Sequence, residues 1–282
     1  VFENEEYVLP IPTEEGLLFC GWYDEDGNVW EKGVYSFEED INLYAKWVDS
    51  SNYQLGVCQN SSETHTYRSI KKYLGSESVV VIPTHDELGK EINYIEFAAF
   101  SKNEYIEKVY FGYTIKELDV SCFSECVNLT EVYLGKNIID LGFYAFKSCS
   151  SLSYVYFPEG LSSTGLYTFH NCVSLESIEF PSSIDRIGAN LFQGCSNLSN
   201  LSIREGGRLT SVNNCIMRNN TLLVGCKNSI IPSNTEWIDD YAFYMVKFEN
   251  EIILPDTLKY IDKGAFYSTS GLNKIVIPIS VV

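Results

Sequence analysis

Basic residues are scarce in this chain, with 20 Lys and Arg against 38 Asp and Glu in 282 residues and a net charge of −18. That balance repels phosphate backbones and anionic headgroups, so nucleic acid is not an expected partner. No run of about 20 apolar residues occurs, and no direct membrane insertion is predicted. Histidine is rarer still. His65, His85 and His170 lie in unrelated segments, and no Ser or Cys stands at a spacing that would complete a nucleophile–base arrangement. Phosphate-cradling glycine motifs are missing as well. Together these absences predict a protein that is not an enzyme and needs no cofactor.

What is present suffices for a core, since 45% of the residues are hydrophobic and 14% aromatic. The acid is uneven: residues 1–48 hold 12 Asp/Glu and 2 Lys/Arg, a net of −10, and the remainder carries only −8. This asymmetry points to a separate first module.

The dominant feature is a repeat. Phe100, Phe123, Phe146, Phe169 and Phe192 stand 23 residues apart, and Phe243 to Phe266 is 23 again. A fixed period of 20–29 residues marks a solenoid of the leucine-rich-repeat type. Within a unit, Phe146, Cys149 and Leu152 are three apart, which predicts a turn of helix or 3₁₀. Val155 and Phe157 are two apart, which predicts a strand with one face buried, ended by Pro158. Closing residues Ile82, Phe111, Leu134, Phe157, Phe180, Ile203, Ile231, Leu254 and Ile277 predict about nine stacked parallel strands, a ribbon of roughly 38 Å. The fold class is therefore mostly β with short helical turns. One coil cannot bury its own apolar face, so neighbouring coils must supply the interior. From Phe192 to Phe243 is 51 residues, or 23 plus 28, and "SVNNCIMRNNTLLVGC" reads as a hairpin turning at Asn219-Asn220, within an irregular repeat at about 204–231. "IPTHDELGKEINYI" makes the first repeat longer than the rest.

"FPSSIDRIGANLFQGCSNLSNLSI" and "LPDTLKYIDKGAFYSTSGLNKIVIP" resemble the BspA-like leucine-rich repeat of bacterial surface proteins, over roughly residues 79–282. Departures are modest, with Asn103 and Thr269 in Cys slots and Asp239 or Asp262 in place of Gly. "LPIPTEEGLLFCGWYDEDG" and "EEDINLYAKW" resemble the internalin-type B-repeat, a small β-grasp-like module, through Phe19, Gly21, Trp22, Tyr23 and Leu43 to Trp47. The division expected is a B-repeat-like module at 1–48, a linker and capping hairpin at 49–78, and the solenoid at 79–282. Both resemblances imply the outer surface of a bacterium, with export signal and anchor outside this stretch, and a monomeric fragment.

Nine cysteines raise the question of metal or disulfides. Cys126, Cys149, Cys172 and Cys195 follow the 23-residue period, so their side chains are parallel. Parallel side chains neither face one another for a disulfide nor converge on a zinc ion, and a buried small hydrophobe is the better reading. Cys215 faces Val224 if Asn219-Asn220 is the turn, so a bridge to Cys226 would need a bulge. Cys20, Cys58 and Cys122 have no evident role. "DEDGN" at Asp24 to Asn28 could open a calcium loop, but no Glu closes it (residue 34 is Val), and an Asp-Gly hairpin turn fits better. No metal site is expected. In "EKVYF", "TEVYL" and "SYVYF" the alternation turns Tyr110, Tyr133 and Tyr156 outward, joined by Tyr154. Such a ladder either binds proteins or sugars or merely stiffens the sheet. The expected role is adhesion to a host or bacterial surface protein, or to a glycan. The alternatives are a passive spacer or an accessory module of a surface carbohydrate-active protein.

Overall fold

In this computed structural model, residues 6–31, 33–34, 41–59, 66–249 and 251–282 are described. Alternation in the repeat builds its first side. Val109, Val132 and Val155 point inward with Phe111, Leu134 and Phe157, all buried. The strands that carry them, Val79–Val81, Lys108–Tyr110, Glu131–Tyr133 and Tyr154–Tyr156, pair in parallel and in chain order. Ser177–Phe180 and Asn200–Ile203 pair as a further two. The chain continues as a solenoid of about eight turns, nearly all β.

A second ribbon, with no counterpart in the expectations above, forms the next side. Ile92–Ile95, Glu117–Leu118, Asp140–Leu141 and Ser163–Thr164 pair in parallel, and Ser163 bridges on to Arg186. Ile115, Ile138, Leu161 and Ile184, each buried and 23 residues from the next, anchor the approach to it. The hairpin of Tyr53–Gln59 and Thr66–Tyr73 lies at one edge, with Thr66–Tyr73 parallel to Ile92–Ile95.

The third side is not helical. Spacings of three arise from separate turns: Lys147 N–H bonds Tyr144 O, Cys149 N–H bonds Phe146 O and Leu152 N–H bonds Cys149 O. Between them the chain enters the left-handed region twice per coil, at Tyr144 and Ser148, at Tyr167 and Asn171, and at Ser121 and Glu125. These residues stop any helix from propagating. They also turn alternate amides along the stack, so that Tyr144, Phe146 and Ser148 donate to the carbonyls of Leu166, Thr168 and His170 in the next coil. The only described 3₁₀ segment is Ser50–Asn52, outside the repeats.

The interior holds two rows. Phe100, Phe123, Phe146, Phe169 and Phe192 stack with centroids 4.6, 5.6, 5.7 and 5.8 Å apart, and Tyr73 of the hairpin extends the row onto Phe100 at 5.1 Å. Beside them, Cys126, Cys149, Cys172 and Cys195 are buried free thiols. Each donates its S–H to the carbonyl of Phe100, Phe123, Phe146 or Phe169 in the previous coil, at 2.9–3.1 Å. The thiol is thus a donor that sews coils together, a role beyond that of a small hydrophobe. Burial pushes the Cys126 and Cys195 thiols up to about 12. Iodoacetamide at pH 8 is expected to leave these four unmodified in the folded chain and to label all of them in urea. Mass-spectrometric detection of native labelling at any of the four would contradict this packing. Cys20 and Cys122 are buried too, and the side chain of Cys58 lies outside those described.

Between Phe100 and Phe266 the 23-residue period breaks once. Thr210–Val212, Cys215–Arg218 and Thr221–Gly225 form an antiparallel meander, one strand more than the expected hairpin, with Asn213, Asn214 and Asn219 at positive φ in its turns. A bulge moves Cys215 opposite Gly225, away from Val224, and Cys215 and Cys226 are both free. The meander also ends the first ribbon, because Leu201 N–H goes to Asn214 Oδ1 and Ile203 N–H to Ser211 Oγ in place of a next strand. Among the described residues Ile231, Leu254 and Ile277 therefore close no paired strand, and six of the nine expected strands pair. On the second side, Thr221–Gly225 pairs with Trp237–Ile238 and that with Tyr260–Ile261. The buried residues accordingly fall into two clusters that meet at the meander, which gives Ile216 and Cys226 to the first and Cys215, Met217 and Leu222 to the second.

Leu17–Tyr23, Val29–Trp30 and Tyr44–Asp49 form a small antiparallel sheet near the first coil. Asp24 organises its turn, accepting from the Asp26 and Asn28 amides, Asn28 Nδ2 and Trp30 Nε1. The long first-repeat loop meets this sheet: Thr84 N–H and Oγ1 and His85 N–H all bond Phe19 O. The Phe19 ring lies against Trp22, Trp47 and His85, and Lys136 reaches Glu31 at 2.6 Å.

Candidate binding surface

The outward side of the first ribbon carries the four tyrosines singled out from the sequence. In register, Lys108, Val109 and Tyr110 lie beside Glu131, Val132 and Tyr133, and these beside Tyr154, Val155 and Tyr156. Since the valines point inward, the flanking residues must point out. Tyr110 and Tyr133 stack with centroids 4.6 Å apart and planes 7° apart. The Tyr133 ring then meets Tyr154 diagonally at 5.5 Å, although its register partner is Tyr156. Tyr156 stands outside the ring contacts described, 45% exposed. The row is therefore a stack of two with a branch, not a continuous ladder.

Polar groups hold the patch in place. Tyr133 OH donates to Glu131 Oε2 at 2.8 Å, and Lys108 Nζ pairs with Glu131 Oε1 at 2.7 Å. The Lys108 hydrogen bond, then that from Tyr133, draws the Glu131 carboxyl below its usual range. The same bond pushes the Tyr133 phenol up to about 12, so it stays protonated and able to donate. Beyond Tyr156 the outward slot holds Glu179 and Ser202, and Arg204 closes that side, bonding Glu159 and the carbonyl of Phe157. Further on the slot turns apolar again, with Ile230, Ile253 and Val276 exposed. The sequence rules did not single these out, although all three stand two residues before a Pro, as Tyr156 does.

The other candidates are not brought together. His85 is buried in the joint with Phe19, its Nδ1 2.9 Å from Thr84 Oγ1. His170 stands edge-on to Tyr167 in the turn row, and His65 lies outside the described residues. Among the described residues no three His, Cys, Asp or Glu side chains converge as a metal would require. No described helix is long and apolar enough to cross a membrane.

Comparison with known proteins gives one family and several solved structures of similar fold. A family model described as "BspA type Leucine rich repeat region (6 copies)" matches residues 84–199 and 163–282. The pneumococcal vaccine antigen PcpA superposes with a TM-score of 0.67 at 18% identity, over 83% of this chain and 70% of that one. A leucine-rich repeat protein from Bacteroides ovatus gives 0.59 at 21%, covering 81% and 58%. The leucine-rich repeat protein of T. pallidum gives 0.55 at 20%, covering 78% and 88%. No curated protein matches the chain.

Proposed function

Because this chain belongs to the BspA-type leucine-rich-repeat family, we propose that it is a non-catalytic binding protein of a bacterial cell surface, engaging a partner through Tyr110, Tyr133, Tyr154 and Tyr156. The partner is a protein on a host cell or another bacterium, with a surface glycan as the second class. One observation carries this reading. Four tyrosines lie on one ribbon face, two of them stacked and one held by the Glu131–Lys108 pair. Rigid aromatic groups with polar tips supply contact area at little entropic cost, which is why they dominate binding hot spots. In this reading residues 1–48 are a B-repeat-like module, 49–78 a linker and capping hairpin, and 79–282 the solenoid that carries the face. Family members of this type are surface proteins, which supports an extracellular location.

The test is a double variant. Tyr133→Ala with Tyr156→Ala is expected to reduce adhesion of coated beads to host epithelial or bacterial cells to background, with the circular-dichroism melt retained. Each lost aromatic anchor costs about 2 kcal/mol or more in binding. Undiminished adhesion would assign the face no part in binding and leave the chain as a spacer.

A further inference from the structure

In the regular coils the turn row passes its amides to the next coil: Tyr167, Phe169 and Asn171 donate to the carbonyls of Ala189, Leu191 and Gln193. The row around Phe192 has no such neighbour, because the chain that follows forms the meander and the next turn row is that of Phe243. Two contacts tie the sides of the gap together. Gly225 N–H takes Ala242 O at 2.9 Å, and Gln193 Nε2 meets Met245 Sδ at 3.3 Å. These ties leave no continuous edge along which a chain could lie. What remains is a cavity of about 390 Å³, within the ~300–1,000 Å³ usual for small-molecule pockets. The larger share of its lining comes from residues that precede Phe192, Gly225 and Ala242 in the chain, on the side of Asn190 and Asp240.

That lining is of two kinds. Asn190 N–H finds no acceptor among the described residues, the carbonyl of Asp240 accepts nothing described, and Asn190 Oδ1 is buried without a partner. Beside these polar groups stand Ile187, Leu223 and Val224 and the half-buried Tyr241. The charges there balance, Arg186 and Arg218 against Asp239 and Asp240. Two of the four are already engaged within the chain, Arg218 with the carbonyl of Asp185 and Asp239 with the Asp240 amide. Water would answer the polar groups and leave the apolar wall wet. A hydrocarbon would cover that wall and leave the amide, the carbonyl and Asn190 Oδ1 unpaired.

We propose that this cavity binds one neutral pyranose sugar. Each sugar hydroxyl both donates and accepts, so one ring can take the Asn190 amide and give to Asn190 Oδ1 and the Asp240 carbonyl. Its C–H face covers the aliphatic wall and the Tyr241 ring, the kind of surface on which aromatic groups with polar tips recognise ligands. Balanced charge favours a ligand with none of its own. A free sugar and the end of a glycan chain present the same ring. This site is separate from the tyrosine face and does not depend on its role.

The test uses the whole chain with the methyl glycosides of glucose, galactose, mannose and N-acetylglucosamine, and reads amide hydrogen exchange. Without ligand, the Asn190 amide is expected to exchange at least about 100-fold faster than those of Tyr167 and Phe169, which are hydrogen-bonded. At about 10 mM, and with a Kd of about 1 mM, one of these glycosides is expected to slow Asn190 about tenfold. Ala189→Trp, at an exposed position in the lining, is expected to abolish the slowing with the melting temperature unchanged. The unbranched tetrasaccharide of the sugar that binds separates the two sources. Slowing by the tetrasaccharide as well marks the end of a glycan, and slowing by the methyl glycoside alone marks a free sugar. Slow exchange of Asn190 in the free chain, no slowing by any of the glycosides, equal slowing by glycerol, or undiminished slowing in Ala189→Trp would each overturn the proposal.

Discussion

Phe146→Ala is expected to lower the stability of the chain by about 3–5 kcal/mol. The ring is fully buried and lies between Phe123 and Phe169 at 5.6 and 5.7 Å. What places the loss at the upper end is the surrounding backbone. Phe146 N–H is tied to Thr168 O at 2.9 Å, and Ala145 O accepts Phe123 N–H at 2.8 Å, so the coils on either side cannot close over the hole. Urea unfolding followed by circular dichroism measures this as a fall in midpoint at unchanged slope. A loss below about 1 kcal/mol would mean that the coils relax freely, and the account of a pinned stack would fail.

Gly188→Ala should be of similar severity for the opposite reason. A Cβ built there falls 2.1 Å from Gly165 O and 2.3 Å from Gly165 C, main-chain atoms with no rotamer to change. Gly142, Gly165 and Gly188 recur at the 23-residue period at the end of the second ribbon, where the backbone of the preceding coil leaves no room for a Cβ. Overpacking costs about 1–3 kcal/mol where side chains can shift; against backbone the top of that range or more is expected. Gly56→Ala is the control, because the atoms nearest its Cβ would be those of the flexible Lys71 side chain, and a change within about 0.5 kcal/mol is expected. Equal melting temperatures for the two variants would refute the close-approach explanation.

The parts of this fold that could be read in advance were those with a bulky residue at each copy. Phe at every 23rd position gave the period, and the Val-x-Phe alternation gave the inward face and, by subtraction, the outward tyrosines. The second ribbon was missed because its strands are two to four residues long, too short for alternation to register. Its signal was available in the Ile115–Leu118, Ile138–Leu141 and Leu161–Thr164 spacing. The turn row was misread as helical because a spacing of three is shared by consecutive turns. What separates the two is positive φ at Tyr144, Ser148, Tyr167 and Asn171, and Tyr or Ser at such a position announces nothing. The contact of Phe19 with Thr84 joins residues 65 apart, which no local pattern encodes. Of the binding face, the residues were legible but their arrangement was not, since the Tyr133–Tyr154 diagonal depends on rotamers.

The peptide units of the turn row have a collective effect. Within each regular coil three carbonyls face the preceding coil and the three amides that follow them face the succeeding one, so their dipoles add. An α-helix gathers positive potential at its N-terminal end; this row gathers it at the opposite one. The stack thus has electrical polarity, reversed in sense from a helix and renewed with each added coil. Two such stacks would meet comfortably tail to head, and would repel when turned face to face.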